Sequence, residues 1–115
     1  MFSMFSSSKK INEFAKEIAQ SLSKRYPPAL DLTPDKKISA NRLTKVLEET
    51  LARAAEFQRE HKLGVLGKAK LGNEFKWQLK ELGYSEKFIE VATEGLMVYI
   101  TRPTSMEKSA SPEQQ

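Results

Sequence analysis

The sequence predicts an all-α protein: a small four-helix bundle, orthogonal or up-down, with short turns and flexible N- and C-terminal tails. Three observations predict it. Apolar residues recur at helical spacing in four separate segments. Capping residues and prolines fall at the ends of those segments (Tyr26-Pro27-Pro28, Ser39, Gly64, Gly83, Ser85). No apolar/polar alternation is long enough for a strand: of the two runs that could be read so, Val65 to Gly67 and Met97 to Thr101, the latter continues a helical pattern. Residues 1–7 are expected as a flexible N-terminal segment, 8–102 as one helical domain and 103–115 as a disordered tail.

In the first segment, Lys9 to Arg25, one face carries Ile11, Phe14, Ala15, Ile18 and Leu22. Lys9 and Lys10 suit a helix N-terminus poorly, because the positive end of the dipole repels them. The segment stops at Tyr26-Pro27-Pro28, where a residue before Pro avoids the α region. The proline-rich linker that follows is expected to be pinned to the body by Leu30 and Leu32.

The second segment, Ala40 to Leu63, has Ser39 as N-cap, with Ile38 and Leu43 placed as a hydrophobic staple. Leu43, Leu47, Leu51, Ala54 and Phe57 or Gln58 form its inner face. Arg42, Lys45, Glu49, Arg53, Glu56 and Glu60 form a solvated one. Gly64 fits its C-cap. The third segment, Lys68 to Leu82, is lined by Leu71, Phe75, Leu79 and Leu82, with Gly72 allowing a close helix contact. Gly83 ends it. The fourth, Glu86 to Thr101, has Ser85 as N-cap and is apolar round most of its circumference. Only Glu90, Glu94, Met97 and Thr101 face outward, which predicts a central position.

Composition removes several classes of function. The 115 residues suit one domain, and the net charge of +4 gives only a mild preference for anionic partners. There is no Cys and one His, which leaves little for thiol chemistry or a zinc site. No apolar run approaches the ~20 residues that cross a bilayer, and no secretory signal is read, so the cytoplasm is the default expectation. His61 has no Ser or Cys nucleophile identifiable beside it and is read as a helix C-terminal cation. No catalytic residue, metal or cofactor is expected.

Three stretches invite a functional reading. Leu82-Gly83-Tyr84-Ser85, with Ile89 and Ala92 downstream, resembles the turn of helix-turn-helix proteins, in which Gly turns the chain and Ser caps the recognition helix. The resemblance implies DNA reading by the fourth segment. Two features depart from it. Leu79 stands where that family usually has a small residue, and Glu86, Glu90 and Glu94 against a single Lys87 would repel phosphate. Gly64 to Gly72 has a Lys among glycines but lacks the spacing of a phosphate loop, and it is read as a helix connection. Trp77 points nearly opposite to the Leu71–Phe75–Leu79 stripe, among Lys70, Asn73, Lys80 and Glu81. Either another segment covers it (Met1 to Phe5, or the Leu30/Leu32 linker), or it anchors a contact surface.

The expected function is a non-catalytic protein-interaction module, with another protein or a second copy of itself as partner. Trp77, Lys70, Lys80, Phe2 and Phe5 are its candidate contact residues. The alternative is nucleic-acid or polyanion binding through the basic segment Lys62, Lys68, Lys70, Lys76 and Lys80, where five lysines stand against Glu74 and Glu81.

Overall fold

The computed structural model describes the backbone of residues 2–33 and 40–101 and the side chains of 8–33 and 40–101. The side chains of Phe2 and Phe5, the Ile38-Ser39 start signal and residues 102–115 all lie outside the described residues. Among the described residues five helices follow one another: α1 (Phe2–Arg25), α2 (Pro28–Leu32), α3 (Ala40–His61), α4 (Val65–Leu82) and α5 (Glu86–Thr101). The chain is all-α, as the periodicity predicts, and the described residues contain no strand. None of the described helices is long and apolar enough to cross a membrane.

Named pairs set the topology. Arg25 meets Glu49, and Glu17 meets Arg53, so α3 runs antiparallel to α1. The Phe14 and Phe57 rings stack at 4.1 Å along the same seam. Ile11 touches the Gly67 position at one end, and the Tyr84 hydroxyl reaches the Tyr26 carbonyl at the other, so α1 and α4 run parallel. Gly72 of α4 lies under Met97 of α5, and Gly95 of α5 lies against Leu51 of α3. The main contacts therefore close a ring, α1 to α4 to α5 to α3 and back to α1.

The cores of the segments follow the sequence with three corrections. Ile11, Ala15, Ile18 and Leu22 of α1 and Leu71, Phe75 and Leu79 of α4 are buried as their spacing predicts. In α3 the inner face is turned toward Val46 and Thr50, with Leu51 and Ala54, while Leu43, Leu47 and Phe57 only flank it. Thr50 tolerates this because its hydroxyl donates to the Val46 carbonyl at 2.9 Å, which satisfies it within its own helix. The fourth segment is not central. In α5, Phe88, Ile89, Ala92, Leu96 and Ile100 face the core, but Val91 and Val98 are 48% and 52% exposed. Met97 is not outward either, since it packs over Gly72.

The helix ends differ from the punctuation read in the sequence. The α1 helix begins at Phe2 rather than Lys9, which places Lys9 and Lys10 inside it, away from the dipole end. The α4 helix begins at Val65, with Gly64 as its extended N-cap. The left-handed residue that closes α3 is instead Lys62, at φ 50°. Its amide donates to the Arg59 carbonyl and the Leu63 amide to the Gln58 carbonyl, the Schellman arrangement. Gly83 closes α4 in the same way at φ 98°, as expected.

These two ends make opposite predictions. A left-handed conformation costs a residue with a Cβ about 1 kcal/mol relative to Gly. Lys62→Gly should raise the urea-unfolding free energy by about 1 kcal/mol and Gly83→Ala should lower it by at least as much. Equal effects of one sign would contradict this account of the turns.

Candidate functional site

Along α4 the outward residues Leu66, Lys70, Asn73, Trp77 and Lys80 follow one another in steps of four and three, so they form one stripe. Leu66 is 78% exposed and Trp77 50%, while Lys70 is partly buried. Lys80 Nζ lies 5.6 Å from the centroid of the indole, a cation–π pair that holds the ring on the surface. On α5 the residues Val91, Glu94 and Val98 make a second exposed line.

Between the two helices lies a cleft of about 660 Å³. Lys76 and Lys80 form its α4 wall, and Glu86, Glu90 and Glu94 its α5 wall, with Tyr84, Ile89 and Thr93 completing the lining. The walls are oppositely charged. Among the described residues none of these five has an ion-pair partner within 4.0 Å. Thr93 Oγ1 is buried and has no hydrogen-bond partner among the described residues.

The cleft is closed at one end by a latch that the sequence did not reveal. The Tyr84 hydroxyl donates to the Tyr26 carbonyl at 2.5 Å, and the Tyr26 hydroxyl donates to Asp31 Oδ1 at 3.3 Å. The Ser85 amide donates to Asp31 Oδ2 at 2.7 Å, and Ser85 Oγ accepts from the Phe88 amide, the cap its position predicts. The rings of Tyr26, Tyr84 and Phe88 pack together above these bonds. Asp31 lies in α2, so the linker is held by this carboxylate and by the half-buried Leu30, whereas Leu32 is 57% exposed and pins nothing. Burial first, and the Asp31 carboxylate second, push both phenols above their ordinary value.

The structure distributes the candidate residues unevenly. Trp77, Lys70 and Lys80 share the α4 stripe, and Lys76 and Lys80 share the cleft. Lys62 sits at the turn after α3. Lys68 and Lys70 leave α4 about 200° apart, at ~100° per residue. The five lysines therefore do not form one basic stripe. Ser85, which precedes the helix that the helix-turn-helix likeness would send into a DNA groove, donates its amide to Asp31 of α2. Among the described residues no three His, Asp or Glu side chains converge as metal ligands. No family model, curated protein or solved structure matches the chain.

Two outcomes follow. Tyr84 is protonated in the fold beyond the pH at which the unfolded chain releases its proton, near 10.0. Between those points the folded state holds the extra proton, so its contribution is complete below about pH 10 and is lost as pH rises further. Tyr84→Phe should cost about 1 kcal/mol at pH 7 by removing one hydrogen bond. It should also unfold with a shallower loss of stability above pH 10 than wild type. Trp77→Ala should change stability by less than about 1 kcal/mol, as expected for a half-exposed side chain. At high dilution the single indole should be quenched readily by iodide.

Proposed function

We propose that this chain is a non-catalytic protein-interaction module that engages its partner through the outer face of α4 and α5. One observation carries the reading: the only Trp of the chain is half exposed within an outward stripe that also holds Leu66. Trp is over-represented among the residues that dominate binding energy, because it hides a large apolar area at low entropic cost. The neighbouring cleft supplies what such an anchor needs around it, a rim of charged groups that remain solvated until a partner arrives. The polyanion alternative has less support. Lys76 and Lys80 face three carboxylates across the cleft, and phosphate approaching the lysines would meet those carboxylates.

The test is site-specific photo-cross-linking in extracts of the cell that makes the protein. A photoreactive residue replaces Asn73, which is exposed on the Trp77 stripe, and a control replaces the exposed Glu13 of α1. A discrete adduct from position 73, absent from position 13 and abolished by Trp77→Ala, is the expected result. No adduct at 73, or one indifferent to Trp77→Ala, would remove the proposal.

A further inference from the structure

We infer that the partner seated on this face is a second copy of the same chain, related by a two-fold axis running parallel to α4 and α5. The inference rests on the interaction reading above and adds the identity and orientation of the occupant.

The face carries its own complement. One helix presents Lys76 and Lys80, the adjacent antiparallel helix presents Glu86, Glu90 and Glu94, and none of the five is ion-paired among the described residues. Two copies that meet face to face with helix laid along helix do so about one of two in-plane two-fold axes. An axis perpendicular to the helices lays α4 on α4 and α5 on α5, which sets lysine over lysine and glutamate over glutamate. An axis parallel to the helices lays α4 of each copy over α5 of the other. Like charges brought together on desolvation oppose the first arrangement, and opposite charges favour the second.

The register then follows from one contact. Gly72 stands level with Met97. Lys76, Trp77 and Lys80 come four, five and eight residues later on α4, so they stand level with Thr93, Ala92 and Ile89 on the antiparallel α5. An axis parallel to the helices preserves level. It carries each copy's Lys76 to the level flanked by Glu90 and Glu94 of the other copy, and each Lys80 to the level flanked by Glu86 and Glu90. Trp77 comes to the level of Ala92, one residue from Val91, which is 48% exposed. The apolar anchor and both charges thus meet complementary partners in the same seating.

The experiment is a charge exchange. Two variants are made, Lys76→Glu with Lys80→Glu, and Glu90→Lys with Glu94→Lys. All four positions are exposed, and circular dichroism confirms that each variant folds. Sedimentation is followed from about 10 µM to about 1 mM, the range in which a face of this modest size dissociates. Wild type should pass from the 13.1 kDa monomer to a dimer, more weakly as salt rises, with a blue shift of Trp77 emission. Each variant alone should remain monomeric, and an equimolar mixture should form a heterodimer, because one then carries two acidic walls and the other a basic α4 wall and an α5 wall that is basic except at Glu86. A wild-type monomer at every concentration, a dimer that both variants retain, or a mixture that does not associate would each overturn the inference. The cross-link from position 73 separates this failure from that of the broader reading. An adduct with a different protein alongside a monomeric wild type sinks the second copy and leaves the interaction face standing, whereas no adduct sinks both.

Discussion

The close approach of α5 to α4 at Gly72 is the constraint on which the rest of the surface depends. A Cβ at this position would stand 2.5 Å from Met97 Sδ, so only Gly leaves room for the thioether in its present place. That contact fixes which residues of the two helices stand at one level, and every charge that lines the cleft follows from it. The cleft occupies the stretch between this contact and the Gly83 turn, where larger side chains (Lys76, Lys80, Tyr84, Glu90) replace Gly and keep the outer edges of the helices apart. The opposing charged walls are the consequence of one small residue at one end and several long ones at the other.

The second constraint is the Asp31 carboxylate. Buried polar groups need partners, and here two phenols, a carboxylate, a backbone carbonyl and a backbone amide satisfy one another. They do so at the junction of α1, α2 and the α4–α5 turn, which are distant in sequence and therefore costly in chain entropy to bring together. The bonds at Asp31 and Tyr84 offset that cost, and they hold the first turn of α5 against α2. An α5 so fixed is a wall of the cleft with a set height.

Much of the fold was legible because it is local. The stripes Ile11–Ile18–Leu22 and Leu71–Phe75–Leu79, the Gly83 turn and the Ser85 cap are each decided by residues within a few positions of one another. The outward aim of Trp77 was legible for the same reason, since it lies 200° from Phe75 and from Leu79 at ~100° per residue. The failures share a different cause. Val46 and Thr50 displace Leu43 and Leu47 from the centre of α3 because the packing of α1 and α5 against it decides the rotation, and a hydroxyl bonded to its own helix behaves as an apolar group. Lys62 rather than Gly64 takes the left-handed turn because α4 starts three residues earlier than its strongest apolar stripe suggests. Asp31 gave no local signal at all, for its partners lie five and fifty-four residues away. The cleft was illegible on the same grounds: the basic wall and the acidic wall are separate runs in sequence, and only the tertiary pairing of α4 with α5 sets them side by side.

In the proposed seating the two kinds of group on this face have different physical roles. Covering the exposed half of an indole removes on the order of 100 Å² of apolar surface from water, worth roughly 2–3 kcal/mol at about 25 cal/mol per Å². Exposed lysines and glutamates contribute little net affinity, because each pair recovers about what it loses in hydration and side-chain freedom. What the charges do supply is discrimination. An apolar patch made of Trp77, Leu66, Val91 and Val98 would accept a partner in many orientations, including ones that continue from copy to copy without closing. Alternating a basic wall with an acidic one penalises every seating in which like faces like, and leaves the seating in which each wall meets its opposite. In the proposed dimer, affinity would therefore come from the indole, orientation from the lysines and glutamates, and the level at which they meet from the missing side chain of Gly72.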